Sequence, residues 1–401
     1  MNTTFSLLER QLYLARYPEK HQHKSLQAWD SADELIIEHT VENQANLDTS
    51  KCIILNDDFG ALGTWYASGA KPLRPFWYSD SWIAHRSLTR NLQANDCETA
   101  FDNTGTLSQP ASACTSLSQL PSYPTLILIK IPRTLALLEE QLITLSTLVT
   151  PTTTIVAAGK VKTITRTVLG LFEKYIGATT TSLAKKKSRL IFCEPDSKTL
   201  ANHPSSPYPT IWQQEAVNGQ PMTMVNHANV FSRQSLDIGA RLLLEHMAVT
   251  NNERIIDLGC GNGVLGLNAL ALAPEAWVTF ADESFMALQS ARDGVEATCP
   301  DALPRCRFHA DNCLETLLEE GESGTVDKVF CNPPFHQQNA VTDHIAWQMF
   351  HDSREILRRG GHLIVVANRH LGYHVTLKRL FKGVKVLASN RKFVILSAAK
   401  R

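Results

Sequence analysis

The sequence predicts an α/β protein made from one doubly wound, mostly parallel-sheet unit used twice. Three observations carry this. The chain has 401 residues, too many for one ordinary compact domain and suited to two of similar size. Short apolar runs of strand length alternate with longer amphipathic segments, the pattern of βα units. The two halves also echo each other at an offset of about 203 residues, the mark of an internal duplication.

The echo runs through five matches in one order. Residues 53–63 (IILNDDFGALG) lie over 256–266 (IDLGCGNGVLG), and Ser79-Asp80-Ser81 lies near Ala281-Asp282-Glu283. The strand LILIKIP, ending at Pro132, matches KVFCNPP, ending at Pro334. TIVAAGK (154–160) matches HLIVVANR (362–369), and the basic strand with Arg189 matches the one with Arg391 and Lys392. The copies are not equivalent. Asn56 and Asp58 stand where the second copy has Gly259 and Gly261, and their side chains obstruct a loop that glycine leaves open. The N-terminal copy is therefore expected to be degenerate, keeping the fold and lacking the ligand.

Residues 102–124 and 194–210 are rich in Ser, Thr and Pro and read as loops or linkers. The second sits near the middle, which sets domains at 1–200 and 201–401. Residues 211–225 (IWQQEAVNGQPMTMV) then read as a hairpin turning at Asn218-Gly219.

Formal net charge is zero, which excludes a bulk polycation that coats nucleic acid but not a local patch. Two segments are basic. Residues 352–401 hold twelve Lys/Arg against two Asp/Glu, and 158–192 hold eight against one, including Lys185, Lys186, Lys187 and Arg189. Their matching places in the two halves favour a polyanionic partner. Nine cysteines with no CxxC pair fit a reducing cytoplasm and no zinc site. The N-terminus is interrupted by Glu9, Arg10 and Arg16, so no signal peptide is expected, and no apolar run approaches bilayer length.

Chemistry is concentrated in the second half. In RIIDLGCGNG (254–263) an apolar strand ends in Asp257 and opens through Gly259, Gly261, Asn262 and Gly263 into a helix. A glycine triplet alone suits a dinucleotide. An acid inside the turn would repel a pyrophosphate, whereas it suits S-adenosylmethionine, which carries an ammonium and a sulfonium and no phosphate. A second strand ends in Asp282, with Glu283 beside it, about 25 residues past the loop, where a carboxylate can accept both ribose hydroxyls. A third ends in Asp311-Asn312, where Asp311 can take the adenine amino group, or where the pair is simply a turn.

A fourth strand runs into Asn332-Pro333-Pro334-Phe335-His336. The amino group of a nucleobase is a poor nucleophile because its lone pair is delocalised into the ring. The Asn332 side-chain oxygen and the Pro333 carbonyl can each accept one N–H, which favours a pyramidal nitrogen and aims its lone pair at the methyl group. Proline fixes the carbonyl direction without adding a donor, and Phe335 offers a face for a planar base. Rate gain then comes mostly from positioning and local electrostatics. Upstream, Phe231 flanks cofactor or base, and Arg233 meets phosphate or Asp237; His336 and Arg369 are further RNA candidates. The other histidines have no metal-ligand spacing.

NVFSR (229–233), DLGCGNG (257–263), ADES (281–284), NPPFHQQ (332–338) and VVANRHLGY (365–373) are similar to the bacterial ribosomal RNA guanine-N2 methyltransferases. NDDFGAL (56–62), KIPRTLALLEEQL (130–142), NHANVFSR (226–233) and LDIGAR (236–241) bring the chain closer to the large-subunit branch than to the small-subunit one. The resemblance covers nearly the whole chain and is weakest at 102–121. It implies two tandem class I S-adenosylmethionine-dependent domains, Rossmann-like, the first degenerate. It implies N2-methylguanosine in 23S rRNA as product, Asn332 to Phe335 around the base, and Asp257, the loop glycines and Asp282 around the cofactor. The alternatives are the small-subunit enzyme, an adenine-N6 or glutamine-amide methyltransferase with a similar Asn-Pro-Pro loop, and a non-catalytic RNA-binding protein.

Overall fold

The computed structural model describes residues 2–19, 26–334 and 340–401, with backbone alone for 340–343. The chain divides into two compact units, Met1–Pro207 and Tyr208–Arg401.

In the first unit seven strands form one sheet: β1 (Cys52–Leu55), β2 (Phe76–Tyr78), β3 (Ser112–Cys114), β4 (Leu126–Lys130), β5 (Thr154–Lys160), β6 (Gly177–Thr181) and β7 (Ser188–Pro195), in the order β6-β7-β5-β4-β1-β2-β3. The second unit has β8 (Arg254–Leu258), β9 (Trp277–Asp282), β10 (Cys306–Ala310), β11 (Val326–Cys331), β12 (Leu357–Asn368), β13 (Lys385–Ser389) and β14 (Phe393–Ala399), in the order β10-β9-β8-β11-β12-β14-β13. The two orders are the same. In each, five strands run parallel and the last hairpin is antiparallel. The chain turns outward in opposite directions from β1 and from β8, and such a switch point leaves a crevice at the strands' carboxyl ends.

Central strands carry short continuous apolar runs because helices cover both faces. Ile53, Ile54 and Leu55 in β1, and Ile255, Ile256 and Leu258 in β8, are all buried. The helices that matter for the site are α1 (Ser31–Glu42), α2 (Ala61–Ala67), α3 (Trp82–Ala94) and α4 (Leu135–Ser146) in the first unit. Their counterparts are α5 (Ile238–Leu244), α6 (Val264–Leu272), α7 (Phe285–Thr298) and α8 (Ala340–Ile356) in the second. Helix α6 is hydrophobic all round and buried from Val264 to Leu270, as a helix sunk into the sheet must be.

Two readings of the sequence change. Residues 102–124 hold more than a loop: they contribute a short hairpin strand, Leu107–Gln109, and the sheet's edge strand β3. Ser-Ala-Cys has no apolar period, so pairing with β2, not local propensity, makes this strand. The hairpin at the start of the second unit forms as expected, from Thr210–Glu215 and Pro221–Asn226, with Gly219 at φ 81° in its turn.

Candidate functional site

The open loop after β8 is built from three glycines with two different jobs. Gly263, at φ 78°, starts α6, and a Cβ there would sit 2.8 Å from the Ala291 Cβ, so it allows two helices to approach. Gly259 (φ 69°) and Gly261 (φ 54°) have more room: among the described residues a Cβ on Gly259 would crowd only the Met349 Cε, at 3.2 Å, and one on Gly261 would meet nothing within 4 Å. Strand ends clamp the loop. The Gly259 N–H donates to the Ala281 carbonyl (2.8 Å), and the Gly261 N–H donates to Asp282 Oδ2 (2.9 Å). The other Asp282 oxygen accepts from the Ser284 amide (3.0 Å). Burial raises the Asp282 carboxyl's pKa while backbone N–H groups pull it down. Asp282 thus shapes the loop as well as facing the crevice.

Asp257 lies beneath the loop rather than on it. It is 1% exposed, its Oδ2 accepts from the Gly266 amide in α6 (2.9 Å), and burial pushes its carboxyl up to about 8. Asn262 is buried and turned inward: its Nδ2 donates to Asn226 Oδ1 at 2.9 Å, tying the loop to the hairpin, and its Oδ1 accepts from the Val264 amide. At the end of β10 the Asp311 amide donates to the Asp282 carbonyl (3.1 Å), and Asp311 Oδ2 accepts from the Thr316 amide (2.9 Å). Asp311 Oδ1 is buried with no donor among the described residues. Asn312 is buried and donates to Glu315.

Beyond β11, Asn332 is half-buried, Pro333 buried and Pro334 exposed. The Asn332 Nδ2 donates to Asp237 Oδ2 at 3.3 Å, and its Oδ1 is buried with no donor among the described residues. Phe335 and His336 lie outside the described residues. Gly259, Gly261, Asp282 and Asp311 are linked to one another, and Asn332 ends the strand beside β8. An S-adenosylmethionine molecule fits this donor set. Orphaned acceptors await N–H and O–H donors, and the two open glycines leave a cradle that any Cβ would narrow.

Other expected residues are exposed or engaged with other partners. Phe231 is 64% exposed, and Glu283 and Arg369 are exposed. Arg233 does not meet Asp237; its Nη1 donates to the Ala228 carbonyl and its guanidinium lies 5.0 Å from the Tyr208 ring centre. Lys185 and Lys186 are ion-paired with Glu38 (2.6 Å) and Glu34 (2.5 Å), which offsets two of the four charges for which the run was singled out. Lys187 is exposed, and Arg189 donates to the Thr181 hydroxyl. The described residues contain no cluster of metal-ligand type and no helix long and apolar enough to cross a membrane.

The first unit carries the same layout in closed form. Asn56, at φ 62° in the place of Gly259, donates to the Lys130 carbonyl (2.9 Å) and exchanges hydrogen bonds with Gln141 (2.9 and 2.7 Å). Sheet register puts Lys130 where the second unit has Asn332. Its Nζ lies 2.8 Å from Asp33, 3.4 Å from Asp30 and 3.8 Å from Asp58. Burial opposes the Lys130 charge, and the three carboxylates outweigh it and raise its pKa. Register also places Ser79, not Asp80, opposite Asp282, one residue away from the sequence match, and Ser116 opposite Asp311.

Sequence reasoning missed Asp237 and Asn226 as supports. The signal for Asp237 was present as a helix cap: its Oδ2 accepts from the Ala240 amide (2.9 Å). Nothing local marks its second partner.

Comparison with known proteins gives two family models: "RLMG N-terminal domain" matches residues 2–197 and "Methyltransferase small domain" matches 221–397. The chain is 56% identical to ribosomal RNA large subunit methyltransferase G of Alteromonas mediterranea, covering 100% of both chains. It is 50% identical to the protein of that name from Aeromonas salmonicida, again over 100% of both, and 45% identical to that of Klebsiella pneumoniae over 96% of each. The solved structure of T. thermophilus 16S rRNA N2 G1207 methyltransferase in complex with AdoMet and guanosine superposes with a TM-score of 0.75 at 19% identity. It covers 100% of this chain and 98% of that one, a likeness of fold. The chain belongs to the ribosomal RNA large subunit methyltransferase G family.

Proposed function

We propose that this chain methylates the exocyclic N2 of a guanine in 23S rRNA, with S-adenosylmethionine as methyl donor. The observation that carries the reading is the Asn332 side chain. Its amide hydrogen points to Asp237 and its buried oxygen has no donor among the described residues, so an incoming amine supplies the missing N–H.

When bound, S-adenosylmethionine supplies a methyl on a sulfonium, and the C–S electron pair stays with sulfur as a thioether. Gly259 and Gly261 let the cofactor approach the loop, Asp282 accepts from its ribose hydroxyls and Asp311 Oδ1 from its adenine amino group. Asn332 Oδ1 and the Pro333 carbonyl hold the two amine hydrogens, so that the nitrogen lone pair faces the methyl carbon. With the amine held so, Asn332 and Pro333 would present its lone pair for methyl transfer, and one amine proton would afterwards pass to water. Because the N2 group lies at a base edge, the guanine enters unpaired or flipped out of its stack. Phe335 is the proposed stacking face. Asp257 supports the loop from below by anchoring α6, and the first unit serves structure and RNA contact.

The test is nucleoside mass spectrometry of 23S and 16S rRNA from cells lacking the gene, complemented with wild type or Asn332→Ala. Wild type restores N2-methylguanosine in 23S rRNA. The variant keeps S-adenosylmethionine affinity within about twofold and loses about 10²–10³-fold in turnover, the cost of one preorganised polar contact. Restoration in 16S rRNA, or of a different methylated nucleoside, refutes the assignment.

A further inference from the structure

We propose that Asp237 is a positioning residue for methyl transfer: it locks the Asn332 amide with its oxygen toward the amine and sets a negative charge beside the group being methylated. This rests on the function proposed above and adds a residue to it.

The first argument is chemical. A carboxylate only accepts hydrogen bonds, so it can face only the NH2 end of an amide. With Asp237 Oδ2 at 3.3 Å from Asn332 Nδ2, the amide cannot turn over without opposing oxygen to oxygen. The buried, unpartnered Oδ1 is the consequence. An Asn free to flip would offer donors to the amine for part of the time, and those repel its N–H groups.

The second argument comes from the duplication. Asp237 is the N-cap of α5, where its Oδ2 accepts from the Ala240 amide at 2.9 Å. The first unit has a capping aspartate in the matching place, Asp30 on α1, with Ala32 as its amide donor at 2.9 Å. Asp30 lies 3.4 Å from Lys130 Nζ, the side chain in register with Asn332. In both copies the capping carboxylate engages the residue at the carboxyl end of the fourth strand, Lys130 as its last residue and Asn332 as the next one beyond it. In the closed copy that residue is a cation with three carboxylates around it. In the open copy it is an amide, and the carboxylate's charge is left facing a site where positive charge develops on the amine as the methyl arrives.

Capping and positioning are separable, because Asn and Ser cap helices about as well as Asp. Asp237→Asn keeps an acceptor for Asn332 and removes the charge. Asp237→Ser keeps the cap and is too short to reach the amide. The full-length proteins are compared on 23S rRNA from cells lacking the gene, by single-turnover transfer of labelled methyl. Cofactor affinity is measured by calorimetry and folding by thermal melting. Both variants are expected to melt within a few degrees of wild type and to bind S-adenosylmethionine within about twofold. Asp237→Ser loses about 10²–10³-fold in the transfer rate and Asp237→Asn about tenfold. Transfer by Asp237→Ser within twofold of wild type overturns the proposal. So does a parallel fall of melting temperature, cofactor affinity and rate in which Asn is no better than Ser, because that marks a cap alone. A wild-type chain that leaves 23S rRNA unmodified sinks the functional reading and Asp237 with it. An active wild type with indifferent variants sinks Asp237 alone.

Discussion

Replacing Gly261 with alanine separates the two things a glycine loop does. The residue sits at φ 54°, and an added Cβ meets no atom of the described residues within 4 Å. The fold therefore loses only the strain of an L-residue in the left-handed region, about 1–2 kcal/mol. In a unit of this size that is a drop in melting temperature of about 2–8 °C. The empty space is where the proposed cofactor lies against the backbone, so the methyl displaces ligand rather than protein. At least tenfold weaker S-adenosylmethionine binding is expected, about 1.4 kcal/mol. Gly266 is the contrast. Its Cβ would fall 2.2 Å from Phe280 Cε1 and 2.6 Å from Cζ, on a ring that is fully buried and stacked on Phe308 at 5.1 Å. Gly266→Ala therefore costs stability first, above the ~1–3 kcal/mol usual for overpacking. Calorimetric titration with S-adenosylmethionine and thermal melting of both full-length variants give the comparison. If Gly261→Ala binds the cofactor within threefold of wild type, the open space over the loop is not the cofactor's and the site reading fails.

Three further outcomes follow from the geometry. The Asp257 carboxyl is pushed up to about 8, so between about pH 4 and 8 the folded chain holds a proton that the unfolded chain has lost, and this group's contribution to stability drains away as pH rises through that window. Asp257→Asn keeps an oxygen for the Gly266 amide without a charge to bury, and its melting temperature should vary less from pH 5 to 8 than wild type's; parallel curves would contradict this. Lys130→Met leaves Asp33, which is 0% exposed, without its cation and should cost about 3–5 kcal/mol in urea unfolding, most of it recovered in Lys130→Met/Asp33→Leu; equal stability of the single and double variants would show that the pair is not coupled. For rRNA binding measured against salt, Lys187→Gln should flatten the log–log slope by about 0.7–0.9 and Lys185→Gln by less, because Lys185 is already held by Glu38; the reverse order would restore the paired lysines as the RNA contact.

The alternation of strands and helices, the duplication and the glycine loop were legible because each leaves a local mark: apolar runs of strand length, an offset repeated five times, and glycines where φ is positive. What escaped the sequence was pairing over long separations. Lys185 and Lys186 read as a free basic run because Glu38 and Glu34 stand 147 and 152 positions away. Asp237 read only as a partner for Arg233 because Asn332 is 95 positions away. Asp257 was ambiguous for a different reason. An acid at the end of a strand serves equally well as a ligand or as an anchor for the helix that follows, and only the fold shows that one Asp257 oxygen takes the Gly266 amide. The edge strand β3 left no period to read because a strand at the margin of a sheet need bury only one side of a few residues.

The closed copy gives a way to tell fold from site without any other sequence. Whatever both copies keep is needed to build the unit, and whatever only the open copy keeps is left for a ligand. Gly60 and Gly263 both start a helix at a positive φ, and each has a neighbouring helix inside the space of a Cβ. The buried carboxylate is kept as well, but it moves. In the second unit Asp257 on β8 accepts from the Gly266 amide. In the first, the strand position is Ile54, and Asp57, in register with Cys260, accepts from the Gly63 amide at 2.8 Å. A requirement met from two different positions belongs to the fold, so anchoring α6 is the part Asp257 Oδ2 plays; its Oδ1, like those of Asp311 and Asn332, is buried with no donor among the described residues. Gly259, Gly261, Asp282, Asp311 and Asn332 have become Asn56, Asp58, Ser79, Ser116 and Lys130 in the copy that fills its own crevice. Those five positions differ where space and unpaired acceptors differ, so the difference between the copies draws the outline of the site.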